Sequence, residues 1–410
     1  MHSILKIHPI SFIKAMSSAL ELTSKGISKH HLETAIIANS IAHQLQLSQD
    51  ALQTLLYSAL LHDLGAASNW EEKHLIMHDD QQARIFNHAE AGYKVLKGSR
   101  HLSVLSIPIR YHHDRFSGGN PSGLNGQDIP LLSRIIHIAD RIDVLIDKND
   151  HIFNQRNRIL DYIEKPDMFD PELIQVVKHL AKTESFWLDI VNSSYHQGFL
   201  NELDFLGKLM FDSDDLIQIA EIFSNIVDET SPFTVNHSKN VAIVSSALAK
   251  IHGYNQEEIK MFYLAGLLHD LGKLAVPNAI LTKPGKLSEK EFDLIKQHPY
   301  YSFRILEQIE GFNHIATWVS QHHESLDAQG YPFKLTMDKI SLGARIITVA
   351  DVFCALTEDR PYRSGLDVVQ TLEIMTNMAM QHKLDTHIVN HVDLNARKIA
   401  NLVTKKISKN

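Results

Sequence analysis

One hexapeptide, Leu-Leu-His-Asp-Leu-Gly, occurs twice in this chain, at residues 60–65 and again at 267–272. At that offset of 207, His30 falls on His237. His88 falls on His298, and the pair His112-His113 on His322-His323, at an offset of 210. The string RIIHIAD, ending at Asp140, falls on RIITVAD, ending at Asp351, at 211. FDPELIQVV from Phe169 resembles LDTHIVNHV from Leu384, at 215. An offset that grows in small steps is what loop insertions in a duplicated domain produce. A period of about 200 residues is far longer than a solenoid unit, and 410 residues suit about two domains of that size. The repeat therefore predicts a domain over 1–200, a linker over 201–212 in the polar stretch around Asn201 to Asp215, and a second domain over 213–410.

The local pattern is helical almost throughout, which predicts an all-α fold. Ile259, Phe262, Tyr263, Gly266 and Leu267 share helix-face spacing, as do Val241, Val244, Leu248 and Ile251. Ser288 followed by Glu291 reads as a capping box. Asp170-Pro171-Glu172 reads as an N-cap with proline in the first turn, where its missing amide hydrogen costs nothing. The run from Arg345 to Val349 is β-branched enough for a strand, but its setting favours a buried helix. Hydrophobic residues make up 44% and charged residues 21%, as in a globular chain.

Composition narrows the chemistry. The chain has 26 histidines and 1 cysteine. A single cysteine excludes a disulfide scaffold and a thiolate metal site, and fits a reducing compartment. A formal net charge of −8 gives no electrostatic footprint for long nucleic acid. The apolar run from Val241 to Ala249 falls well short of the ~20 residues a helix needs to span a bilayer. Residues 1–14 lack a sustained apolar core and a cleavage site, so no signal peptide is expected. The expected location is the cytoplasm.

The repeated residues are the sort that hold metals. In the second copy they are His237, His269, Asp270, His298, His322, His323 and Asp351. A single histidine on an apolar face is more often a packed or surface residue than a ligand. Seven such residues recurring in one order in both halves are hard to attribute to chance. Adjacent helical residues point about 100° apart, so a His-Asp pair can serve one concave site lying between their faces. A carboxylate can bridge two cations and an imidazole cannot, which makes Asp270 the natural bridge of a two-metal site. Imidazoles mixed with carboxylates suit iron, manganese, cobalt, nickel or zinc, and suit calcium poorly.

Further motifs sharpen this. HDLGK at 269–273, KPGKLSEKE from Lys283, QHP at 297–299, the pair His322-His323 followed by Gly330-Tyr331-Pro332, and RPYR at 360–363 together resemble the HD-GYP subgroup of the HD metal-dependent phosphohydrolases. The resemblance covers most of residues 213–395. It implies an all-helical fold and hydrolysis of a cyclic dinucleotide, cyclic di-GMP or 3′,3′-cyclic GMP-AMP, to a linear product. It implies two divalent metal ions, iron or manganese foremost, with nickel, cobalt or zinc as alternatives. By position, His237, His269, Asp270 and Asp351 would hold one metal, and Asp270, His298, His322 and His323 the other. Asp270 and Lys273 would be catalytic. Lys273, Tyr331, Arg360 and Arg363 would contact substrate. Two such cations lower the pKa of a shared water and stabilise charge on the phosphoryl oxygens. A homo-oligomer or signalling partners would be in keeping with the family. The alternatives are an HD phosphohydrolase of other nucleotides and a non-catalytic cyclic dinucleotide receptor.

Three positions depart from the family pattern. Ala328 stands where a glycine is usual, which would strain a positive φ and rearrange the loop. Cys354 stands where a second aspartate is common, without removing a direct ligand. Phe233 replaces the glutamate of three-metal members, which argues for two metals. The first copy resembles a diverged HD domain. It keeps a possible metal set of His30, His62, Asp63, His88, His112, His113 and Asp140. Ala66 falls on Lys273, Gly119-Asn120-Pro121 on the GYP triplet, Asn149 on Arg360, and Asp114 on Glu324. The grips for phosphate are lost, so the first copy is expected to be a metal-holding regulatory or dimerising domain. A second enzyme with another phosphoester substrate and an inert remnant are the other readings.

Overall fold

The computed structural model describes residues 5–22, 29–66, 85–165, 167–202, 210–230, 236–359 and 364–404. The described residues form α-helices, short 3-10 turns and loops, with one isolated antiparallel bridge between Ile7 and Phe211. The chain divides into two compact units. One is His8–Leu209; the other is Met210–Asn410 together with Met1–Ile7. Among the described residues no helix is long and apolar enough to cross a membrane.

The helices begin where side chains can satisfy their first amides. Ser288 caps Glu289–Lys296, and Glu291 reaches back to the Ser288 amide at 2.7 Å. Asp170 caps Pro171–Leu180 by accepting from the Glu172 amide at 2.9 Å. Asp385 caps Thr386–Leu394 in the same way. The duplication shows here: Asp170 also takes Arg134, and Asp385 takes Arg345 at 3.1 Å. Each caps a helix and ties it to the helix that carries Asp140 or Asp351. The β-branched run at Arg345–Val349 lies inside the helix Leu342–Thr357, where Ile346, Ile347 and Val349 are fully buried. Burial on several faces makes such a run equally compatible with a strand in sequence.

In the second unit the helices His237–Ile251 and Gln256–Leu268 pack face to face. Gly266 permits their approach, since a Cβ there would stand 2.4 Å from the Ala242 Cα. The glycine of the repeated motif has a similar task. A Cβ on Gly272 would lie 2.0 Å from the His298 carbonyl oxygen, and one on Gly65 would lie 2.0 Å from that of His88. In each unit this contact brings the His-Asp pair against the start of the helix that carries His88 or His298.

Candidate metal centre

Five stretches of the second unit bring the seven residues together. His237 opens its helix, and His269 and Asp270 follow the end of Gln256–Leu268. His298 opens His298–Leu306, the pair His322-His323 follows Asn313–Ser320, and Asp351 lies within Leu342–Thr357. His237, His269 and Asp351 form one compact group of possible metal ligands, and His298, His322 and His323 another. Asp270 stands between them. Its Oδ2 lies 3.2 Å from His269 Nε2 and 4.0 Å from His237 Nε2. Its Oδ1 lies 3.3 Å from His298 Nε2. One carboxylate thus turns an oxygen to each group. Lys273 Nζ bonds Asp270 Oδ2 at 2.5 Å.

The hydrogen bonds behind the imidazoles decide what faces the cage. His269 Nδ1 donates to the Gly266 carbonyl at 2.8 Å, His298 Nδ1 to Ile295 at 2.7 Å, and His322 Nδ1 to Val319 at 2.6 Å. With Nδ1 as the donor, the neutral form of each ring presents an Nε2 lone pair inward. His298 Nε2 and His322 Nε2 then face each other at 3.3 Å, with Asp270 Oδ1 beside them. Such a cluster of lone pairs repels itself unless a cation accepts them. Burial holds His298 and His323 neutral, pushing each down to about 3. Burial would also push His237 down, but bonds to Asp351 and Glu358 raise it to about 10. Burial opposes ionisation of Asp270 too, yet the charges of His269 and Lys273 keep it well below the ordinary carboxylate range. Two carboxylates and five imidazoles, three of them with Nδ1 bonded outward, are a donor set that fits borderline divalent cations.

The loop over the cage holds the GYP triplet. The Tyr331 ring lies 4.8 Å from that of His323, centroid to centroid, and its amide donates to the His323 carbonyl at 3.1 Å. Both oxygens of Glu324 accept loop amides, from Phe333 at 2.6 Å and Leu335 at 2.9 Å. Ala328 takes φ 61°, so this loop position holds a positive φ with alanine in place. Arg360, Arg363 and Phe233 lie outside the described residues.

The first unit forms a cage of the same plan. His30, His62 and Asp140 make one group, and His88, His112 and His113 another. Asp63 faces His30 at 3.7 Å, His62 at 3.5 Å and His88 at 3.4 Å. His88 Nε2 lies 3.3 Å from His112 Nε2 and 3.2 Å from His113 Nε2. The surroundings differ. Arg141 donates twice to Asp140 Oδ2, at 3.0 and 2.7 Å, and Asn120 spends its amide on Arg115 and Leu124 of its own loop. The Asp140 side chain is 2% exposed, whereas that of Asp351 is 13% exposed.

A family model described as HD domain matches residues 14–173 and 221–388, one stretch in each unit. The chain belongs to the HD domain family. It is 30% identical over 394 residues to a 3′3′-cGAMP-specific phosphodiesterase 1 of Vibrio cholerae serotype O1, covering 93% of this chain and 90% of that one. It is 41% identical over 144 residues to a cyclic di-GMP phosphodiesterase of Pseudomonas aeruginosa, over 35% of each chain. A solved cyclic GMP-AMP specific phosphodiesterase of V. cholerae superposes with a TM-score of 0.68 at 26% identity, covering 96% of this chain and 98% of that one. The all-α fold with two tandem HD-type units and the HD-GYP kinship both hold.

Three contacts of these HD units were not expected from the sequence. His31 Nε2 lies 3.6 Å from Asp63 Oδ2, a sixth imidazole in the first cage. The doublet His30-His31 was its only signal, and Ser238 occupies its place in the second copy. Arg141, the second, follows Asp140 directly but matches no repeated residue. The third is the carboxylate behind the first histidine of each cage: Asp143 behind His30 at 2.7 Å, and Glu358 behind His237 at 2.8 Å.

Proposed function

We propose that the second HD unit hydrolyses a phosphodiester bond of a cyclic dinucleotide, giving the linear dinucleotide, with the aid of two divalent metal ions. The observation that carries this is Asp270, one oxygen turned to the His237–His269–Asp351 group and the other to the His298–His322–His323 group. Such ions supply an activated water and offset the charge that builds on the phosphoryl oxygens. The chain's residues do the rest. His237, His269, Asp270 and Asp351 would hold one ion, and Asp270, His298, His322 and His323 the other. Lys273, whose ammonium already lies beside Asp270, would hold a non-bridging phosphoryl oxygen and stabilise its developing charge. Tyr331, packed on His323, would form the wall against which the substrate is oriented. Arg360 and Arg363 would clamp a phosphate through paired guanidinium bonds. Iron and manganese are the first metals to test. Relatives aligned over both units are named for 3′3′-cGAMP, which makes that ring the first to test before cyclic di-GMP.

The first HD unit would hold metal without turning over substrate and would act in regulation. Ala66 stands in place of the lysine, Asn120 in place of the tyrosine, and Arg141 loads Asp140 with a fixed positive charge. The deciding experiment is turnover of a panel of cyclic dinucleotides by the metal-loaded full chain. Cleavage of at least one ring is expected, with loss on chelation and recovery on adding manganese or iron(II). A chain that binds a ring tightly with metal present and never cleaves it would instead be a receptor.

A further inference from the structure

Four histidines of the second cage are held in two ways. His269, His298 and His322 each donate Nδ1–H to the carbonyl three residues earlier. His237 opens its helix, and its Nδ1 meets a carboxylate instead, Glu358 Oε2 at 2.8 Å. His30 also opens its helix and meets Asp143 Oδ2 at 2.7 Å. These two carboxylates are not at equivalent positions. Asp143 lies three residues after Asp140, and the residue three after Asp351 is Cys354, fully buried and without a carboxylate. Glu358 lies four residues further on, at the C-terminal cap of the same helix. Its longer side chain spans the added distance to His237.

The neighbours change with it. Glu358 Oε1 accepts from Asn240 Nδ2 at 2.7 Å. The residue matching Asn240 at the 207 offset is Glu33, which bonds Lys148 beside Asp143. A glutamate at 240 would repel Glu358, whereas an asparagine holds it. Asp147, which matches Glu358, bonds Asn149 rather than the histidine. Three positions therefore differ together around one imidazole, and a carboxylate reaches Nδ1 in both units.

We infer that Glu358 is the positioning residue for His237, a carboxylate supplied one helical turn later in place of the one Cys354 lacks. The inference rests on the reading of this cage as a metal site. By accepting from Nδ1–H, Glu358 fixes the tautomer that leaves Nε2 free for a cation, sets the ring's direction and raises its basicity. Asn240 keeps the glutamate in that pose.

The test is manganese affinity of the full chain, measured by competition with a chelating dye, alongside circular dichroism. The first unit's cage is common to all variants and drops out of the comparison. Glu358→Ala is expected to weaken the affinity attributable to the second cage by about 10- to 100-fold. Cys354→Asp in that background returns the carboxylate to the position used by Asp143 and is expected to restore most of the affinity. A structural contribution of Glu358 at the helix end would not be rescued from position 354. Glu358→Ala with wild-type affinity, or a folded double variant as weak as the single one, overturns the inference. Should Glu358→Ala not fold, Asn240→Glu replaces it as the single variant, and affinity equal to wild type would overturn the inference there. A wild-type chain that holds no more metal than Asp270→Ala would instead overturn the reading of the cage itself.

Discussion

The two HD units carry the same cage and surround it differently. Each has five imidazoles at matching positions, a central aspartate after a histidine, and a second aspartate on a later helix. Among the described residues of the second unit, the cation nearest the centre is Lys273, on the central Asp270, with 22% of its side chain exposed. Among those of the first it is Arg141, on the outer Asp140, with 5% exposed. A partly open lysine can leave its carboxylate and take a phosphate. An arginine buried on an aspartate cannot leave without stranding a buried charge. On the reading proposed above, the difference teaches that keeping metal ligands and keeping catalysis would be separable: the ligands would need a rigid shell, and the reaction a cation that can move to a substrate.

Two variants try to break that contrast at its cations. Arg141→Ala strips the partner from a buried aspartate, and a metal-free chain should lose about 3 kcal/mol from the unfolding transition of the first unit. Manganese should recover part of that loss, because a cation would take over the charge. Chemical denaturation with and without metal reads both effects, and an unchanged transition would mean that Arg141 is not holding that cage closed. Lys273→Ala should lower kcat by about 100-fold, the scale of losing one donor to a developing oxyanion, with bound metal unchanged. Unaltered kcat would remove the lysine from the reaction and with it the main distinction drawn between the units.

Smaller effects sharpen the contrast at the loops. Tyr331→Asn gives the second unit the residue found at Asn120 and should raise KM by about 10-fold with little change in metal content. A rise confined to kcat would place the ring at the chemistry rather than at binding. Ala328→Gly should change stability by less than about 1 kcal/mol, because relief of the positive φ is offset by added freedom in the unfolded chain. A large gain would show the loop to be more strained than its intact bonds to Glu324 suggest.

Much of this was legible in the sequence. The repeat marked the two stretches that the HD domain model matches, and the capping residues at Ser288, Asp170 and their neighbours placed helix starts, because those signals act within a few residues. The seven clustered positions were legible because the duplication printed them twice. Glu358 was not, since it does the work of Asp143 from a non-equivalent position, and only folding shows which carboxylate reaches His237. Arg141 and His31 were invisible for the opposite reason: each lies next to a repeated residue but has no counterpart in the other copy. Ala328 holds the positive φ expected of a glycine there, in a left-handed region that costs alanine roughly 1–2 kcal/mol.

The most direct test of the division of labour is the initial rate of 3′3′-cGAMP hydrolysis by manganese-loaded full chain, compared between Asp63→Ala and Asp270→Ala. The same two central aspartates are removed, one from each cage. Asp270→Ala should lose at least about 1000-fold in rate, the order expected when metal-assisted water activation is removed. Asp63→Ala should stay within about threefold of wild type if the first unit does not carry the chemistry. Full activity in Asp270→Ala, or loss of activity in Asp63→Ala alone, would contradict the assignment of catalysis to the second unit.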